Sequence, residues 1–241
     1  MQFRRTLKVV IAGLLVLASA FAMFGCSGKN DSQADEDGVL PNQLVNMTYY
    51  FQQGYRTDWK VKQYDEANNG KMINRDTGLV LELVPVEVIS TDADGNVTEY
   101  GSEIAGVEYT VYYYKSGNRA DANIYMTSTR EEMVSWALDP ENTGFYFNTN
   151  YYIDESRETF LQKGDVEPFT CKYSKLQFSQ VSYTFTRDGE EWMGTFYIVT
   201  GKQEFFIITY EAKKDLFEQY RDQMLETIGD FRKKGWETAQ D

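Results

Sequence analysis

Three kinds of hydrophobic pattern follow one another along the 241 residues. Residues 9–24 are an unbroken apolar or small-residue run, preceded by Arg4, Arg5 and Lys8 and followed by Gly25 and Cys26. Residues 27–45 lose that character: Ser, Gly, Asn and Asp predominate, with acids at Asp31, Asp35, Glu36 and Asp37 and no apolar period. From Asn46 onward apolar residues recur at the period of two that marks strands or the 3.6 that marks helices. Short extended pieces around Met47-Thr48-Tyr49-Tyr50-Phe51 and Trp59-Lys60-Val61 come first, with Asn69-Gly70 as a tight-turn signal. Residues 79–89 form an apolar strand rich in β-branched side chains. Glu82 is its first polar residue, and Pro85 implies a bulge or an edge because proline cannot donate to a ladder. Val107, Tyr109, Val111 and Tyr113 alternate along a further strand over 106–115.

The pattern then changes period. A short strand over 123–126 precedes Ser128, which with Glu131 offers a capping box for a helix over 129–138 that ends before Pro140. An aromatic strand over 145–153 and a short helix over 154–162, capped by Asp154 and stopped near Gly164, follow. The last third carries the plainest signal. Strands over 176–186, 191–200 and 204–210 are separated by turns at Asp188-Gly189 and Gly201-Lys202, which makes an antiparallel meander. Leu216, Tyr220, Met224, Ile228 and Phe231 then recur at helical spacing over 213–233, with Arg232, Lys233 and Lys234 at the negative end of the dipole and Gly235 as the stop.

The opening segment has the order of a secretory signal: positive charge, an apolar core shorter than the roughly 20 residues of a membrane span, then a small residue. Met23-Phe24-Gly25-Cys26 resembles the lipobox of bacterial lipoproteins, and that resemblance implies cleavage before Cys26 and a diacylglyceryl group on its thiol. Alternatives are an ordinary signal peptide or an uncleaved anchor; in either anchored case the positive flank stays in the cytoplasm and the rest faces outward. The sequence thus divides into a signal peptide over 1–25, an acidic flexible tether over 26–45, one globular domain over 46–236 and a tail over 237–241.

Charge narrows the partners. Lys and Arg number 24 and Asp and Glu 37, and loss of Arg4, Arg5 and Lys8 leaves 21 against 37, a net −16. Such a surface as a whole repels nucleic-acid phosphates and anionic lipid headgroups, which disfavours nucleic acid as a partner. With Cys26 acylated, Cys171 has no cysteine to pair with, and a packed core must hold the domain. Cys171 itself reads as a small, half-buried side chain.

Two groups of residues at either end of the domain carry a resemblance. Gly54-Tyr55-Arg56-Thr57-Asp58-Trp59 opens it; Phe196-Tyr197-Ile198-Val199, the Gly201-Lys202 turn, Phe206 through Ala212 and Ile228-Gly229-Asp230-Phe231 close it. These are similar to the PsbP-like family. The resemblance covers roughly residues 50–233 and implies an α+β fold, an α-β-α sandwich around an antiparallel sheet. It implies no reaction, because members share no catalytic site.

Candidate chemistry is sparse. The chain has no histidine, which removes Ser-His-Asp and Cys-His machinery and every imidazole zinc site. Asp92, Asp94, Asn96 and Glu103 partly follow a calcium-loop spacing, but Val97 stands where the sharp-turning glycine belongs, so a polar hairpin tip is the favoured reading. Glu190 and Glu191 are adjacent and point to opposite faces of a strand, which reads as solvated surface and not as an acid–base pair. Tyr112-Tyr113-Tyr114, Tyr146, Tyr151 and Tyr152 fit sheet packing first and an exposed recognition patch second. No catalytic, cofactor-binding or metal-binding residue is assigned; the one site residue is Cys26, for lipidation. The expectation is a non-enzymatic, lipid-anchored binding or accessory protein on the extracytoplasmic face of the bacterial cell membrane. It is held there through Cys26, with an envelope protein or glycan as partner. The alternative is an envelope glycan-acting enzyme using carboxylates alone. A ligand receptor would need a deep pocket.

Overall fold

The computed structural model describes residues 32–74, 78–94, 96–115, 161–171, 174–201 and 204–235. The compact unit is Gln33–Asp241. Its strands are β1 (Asn42–Asn46), β2 (Phe51–Tyr55), β3 (Trp59–Gln63), β4 (Leu79–Thr91), β5 (Val97–Glu103), β6 (Val107–Lys115), β7 (Leu161–Thr170), β8 (Gln177–Arg187), β9 (Glu190–Thr200) and β10 (Glu204–Lys213). Helix α1 (Lys214–Gly229) and the short strand β11 (Phe231–Lys233) follow. One sheet runs β3-β4-β6-β10-β9-β8-β7, with β5 paired to β4, and a smaller one runs β1-β2-β11. Every pairing between strands is antiparallel.

The meander forms as its alternation predicts: β8 lies on β9 with Val181 opposite Phe196, and β9 on β10 with Ile198 opposite Ile207. Asp188 and Gly189 both take positive φ at the first turn, the geometry that lets a two-residue hairpin match strand twist. Pro85 lies where β4 changes partners. Pairing to β6 ends at Leu83 opposite Tyr109, and pairing to β5 begins at Val86 opposite Glu103, so no ladder bond is lost to the missing amide.

Side-chain alternation splits the large sheet into two buried faces. Val107, Tyr109, Val111, Tyr197, Val199, Phe206, Ile208 and Tyr210 pack in one cluster with Phe217, Met224 and Ile228 of α1 and with Phe231. Each such side chain contributes roughly 1.5–3 kcal/mol by leaving water. Tyr112, Tyr114, Val181, Tyr183, Phe185, Trp192, Phe196, Ile198, Phe205 and Ile207 form a second cluster on the opposite face. The fold is therefore mostly antiparallel sheet, with a single α-helix among the described residues, so its helix content is low for the three-layer sandwich expected.

Three expectations need correction. Residues 33–45 are not a free tether: Leu40 is 1% exposed, and β1 pairs with β2 from Asn42 opposite Tyr55 to Asn46 opposite Phe51. Polar composition misled because the segment is held by hydrogen bonds and not by an apolar stripe. Gln33 Oε1 accepts from the Thr57 backbone amide, and the Leu40 amide donates to Asp230 Oδ2. The last helix stops at Gly229 and not at residue 233. Asp230 caps it with its amide on the Glu226, Thr227 and Ile228 carbonyls, and Arg232 then pairs with Gln52 in the small sheet. Leu161 and Gln162 belong to a strand opposite Thr184 and Tyr183, not to the end of a helix. The elements expected over 123–126, 129–138 and 145–153 lie outside the described residues, as do Tyr146, Tyr151 and Tyr152.

Candidate functional site

Cys26 lies outside the described residues. The other residues singled out by sequence are placed, and they take structural roles. Asp92 forms the hairpin tip between β4 and β5; its carboxylate accepts from the amides of Asp94 and Asn96 and from the Asn96 side chain, so its oxygens are used within the turn. Among the described residues no group of three or more acids or cysteines is placed to hold a metal ion. Glu190 and Glu191 are exposed and paired separately, with Lys213 and Lys214. Tyr112, Tyr113 and Tyr114 are all buried: Tyr113 stacks on Tyr49, and Tyr114 on Phe205. Cys171 is fully buried, its thiol donating to the Ile228 carbonyl at 3.1 Å, and burial pushes that thiol up to about 12.

The residues that carry the family resemblance, far apart in sequence, meet in one place. The Gly54 amide donates to the Asp230 carbonyl, and a Cβ at Gly54 would collide with the Asp230 carboxylate and the Gln43 amide. Arg56 forms ion pairs with Asp58 and with Glu226 of α1 at 2.7 Å. Trp59 Nε1 donates to Gln223 one helical turn earlier. The buried Asp230 carboxylate accepts from the Leu40 amide, the Gln43 side chain and Arg232. The Asp230 carboxylate is matched by donors within the protein, as a buried charge requires. The motif thus closes the N-terminal hairpin on the end of α1 and leaves nothing aimed at a ligand.

The polar group that sequence reasoning missed lies on the face opposite α1. Glu108 on β6 and Glu211 on β10 are directly opposed in the ladder, an arrangement that repels unless a cation intervenes. Arg187 of β8 supplies it, with one terminal nitrogen 2.9 Å from Glu108 and the other 2.6 Å from Glu211. Tyr183 donates to the second oxygen of Glu211, and its ring lies across Gly194, where a Cβ would strike it. The Arg187 guanidinium sits 4.1 Å from the Trp192 ring centroid, a cation–π contact at the meander's end. Two ladder positions away, and so on the same face, Thr110 and Thr209 bond to each other, and Glu82 opposite Thr110 pairs with Lys62 of β3. That carboxylate's hydrogen bond holds the Lys62 ammonium above its ordinary pKa. Chemically the array orders charge across five strands, and its carboxylates are committed to cations. Glu82 and Glu211 did carry a signal, as acids inside mostly apolar strands.

Exposure falls elsewhere. Val45, Met47 and Tyr50, at 55%, 65% and 54%, project around the β1–β2 turn; Val88, Ile89 and Tyr100 are exposed on the β4–β5 arm.

No protein-family model matches the chain, and no curated protein matches it. Solved structures with a partly similar course include cyanobacterial PsbP (CyanoP) from Synechocystis sp. PCC 6803, with a TM-score of 0.48 at 8% identity, covering 80% of this chain and 91% of that one. LpqN of Mycobacterium tuberculosis, described as involved in cell envelope biogenesis, gives 0.42 at 9% identity over 79% of this chain and 88% of its own. A protein of Bacteroides thetaiotaomicron VPI-5482 gives 0.42 at 9% identity over 80% of this chain and 48% of that one.

Proposed function

We propose that this chain is a PsbP-like, lipid-anchored binding or accessory protein on the extracytoplasmic face of the bacterial envelope. Its partner is another envelope component, protein or glycan, and it performs no catalysis. The anchor is a diacylglyceryl group on Cys26, which the charged start, apolar run and Gly25-Cys26 junction support. One observation carries the preference for binding over catalysis. The acids that the fold gathers are in ion pairs (Glu108 and Glu211 with Arg187, Glu82 with Lys62, Glu226 with Arg56), while Val88, Ile89 and Tyr100 stay exposed on the β4–β5 arm. A carboxylate glycosidase needs one acid kept protonated and another free, both at the walls of a cleft. An accessory protein needs only an exposed recognition surface.

Labelled palmitate fed to the producing bacterium is expected in the wild-type chain and absent from Cys26→Ala; label that persists in the variant overturns the anchor. Cross-linking in native membranes is expected to capture a defined envelope component. Cleavage of a glycan by the purified protein would replace the binding reading with the enzymatic one.

A further inference from the structure

We propose that the β1–β2 turn is a second membrane contact, an apolar and cationic tip that rests on an anionic bilayer surface beside the anchor. The tip presents Val45, Met47 and Tyr50 to solvent although it is firmly built. Asn46 Oδ1 accepts from the Thr48 and Tyr49 amides, its side-chain nitrogen donates to the Gly70 carbonyl, and the Thr48 hydroxyl donates to the Asn69 carbonyl. Tyr50 holds a φ of 54°, a left-handed conformation costly for a bulky residue, so its outward ring is imposed by the fold. Cations flank it, and the turn that Asn46 and Thr48 are bonded to also carries Asp65 and Glu66. Exposed Lys71 follows Gly70, exposed Lys234 donates its amide to the Tyr50 carbonyl, and the Lys233 ammonium lies 5.7 Å from the Tyr50 ring. Glu204, the acid beside Lys233, is taken up by that lysine and by Tyr113.

In a chain this acidic, lysines placed around exposed Tyr, Met and Val match the headgroup boundary. An amphipathic ring and its apolar neighbours enter there, and cations meet anionic lipid. Chain length favours the bilayer over a protein partner. Cys26 and Gln33 are seven residues apart, so the span between them is at most about 25 Å. Gln33 is bonded at Thr57, and the β1–β2 hairpin runs from there to the tip over about 15 Å. Acylation at Cys26, on which this inference rests, therefore holds the tip within reach of the membrane.

The test uses the full chain, purified from the producing bacterium and reconstituted in vesicles of phosphatidylethanolamine and phosphatidylglycerol in equal parts. A bimane label on Met47→Cys, read against nitroxide-labelled lipid, should be quenched at least about twofold more than the same label on Glu99→Cys of the exposed β5 arm. Lys71→Glu with Lys234→Glu should abolish most of that difference. Equal quenching at the two positions overturns the proposal, as does quenching that requires native membrane proteins. Cys171 is buried, so label in the wild-type chain reports an unacylated Cys26 and failure of the anchor alone. The contact is then decided by adding Cys26→Ser to both labelled variants and repeating the vesicle measurement.

Discussion

On the side of the large sheet that packs against α1, the buried titratable groups of the sheet strands and the loop after β7 are neutral: Tyr109, Tyr113, Tyr197, Tyr210 and the Cys171 thiol, and the buried charges there, Arg56, Asp230 and Lys233, lie outside the large sheet. On the opposite side the neutral Tyr112, Tyr114 and Tyr183 are joined by charges: buried Glu82 and Glu211 and half-buried Glu108, with Arg187 and Lys62 as partners. The same alternation that makes each strand two-sided has put both buried carboxylates of the large sheet, Glu82 and Glu211, on the side away from α1. A neutral hydroxyl is cheap to bury once bonded, as Tyr109 is to Gln53 and Tyr210 to the Phe217 carbonyl, so the helix can close over that side. Carboxylates need cations to hand, and long arginine and lysine side chains deliver them best where part of each stays near water.

The largest expected effect separates the two sides by pH. Burial raises the pKa of Tyr109, Tyr113, Tyr197 and Tyr210, and lifts Cys171 to about 12. In the unfolded chain these groups ionise near 10 and 8.5, so unfolding releases protons there that the folded state keeps. Stability is full below pH 8.5 and is lost as pH rises through the window up to the folded values. Each group takes about 1.4 kcal/mol per pH unit once past its unfolded value. Chemical denaturation between pH 8 and 11 should therefore show a loss on the order of 9 kcal/mol, with a step of tyrosinate absorbance on unfolding beyond that of exposed tyrosines such as Tyr50 and Tyr100. Tyrosinate absorbance that reaches its full unfolded value while the protein is still folded would show that the helix side is open to water.

The next effect belongs to the charged side. Glu211 is 1% exposed and accepts from both Tyr183 and Arg187, so Glu211→Ala leaves a phenol and half a guanidinium unmatched. Breaking one member of such a pair costs about 3 kcal/mol. Arg187→Met should cost a similar amount, because it leaves Glu108 and Glu211 opposed with no cation between them. The double variant should fall short of the sum by about 2 kcal/mol, measured as a urea-denaturation cycle. Additive losses would mean that the residues act independently and that no array exists.

What the sequence made legible follows from the range of the interactions. The meander was readable because each of its strands pairs with the next across a turn of two or three residues, and the turn chemistry at Asp188-Gly189 is local. The array was not, because Glu108, Arg187 and Glu211 come from three strands and only register brings them to one face. Phe231 kept the helical stripe of Leu216, Met224 and Ile228, yet its backbone pairs with Gln53, almost the whole domain away. No local pattern contains that competition. Residues 33–45 failed for the converse reason. Their composition is that of a linker, and what orders them is hydrogen bonding to Thr57 and to Asp230, 190 residues beyond Leu40. The tight contact of Gly54 with Asp230 was half visible, since both lie in stretches similar to the family's ends, but their juxtaposition needed the fold.

The smallest expected effect marks where the charged side stops being structural. Glu190 and Glu191 open β9 within the same hairpin as Arg187, and their ion pairs with Lys213 and Lys214 are as short as those of the array, at 2.6 and 2.8 Å. Distance alone would rank them with Glu211. Exposure ranks them far lower, because water screens each charge and the lysine side chains lose rotamer freedom to make the contact. Glu190→Gln together with Glu191→Gln should change stability by less than about 0.5 kcal/mol, and the change should shrink further as salt is added. The same double variant should leave partner capture in native membranes intact. A loss of stability near that of Glu211→Ala would show that burial does not divide the two groups, and a loss of capture at unchanged stability would relocate the recognition surface to the start of β9.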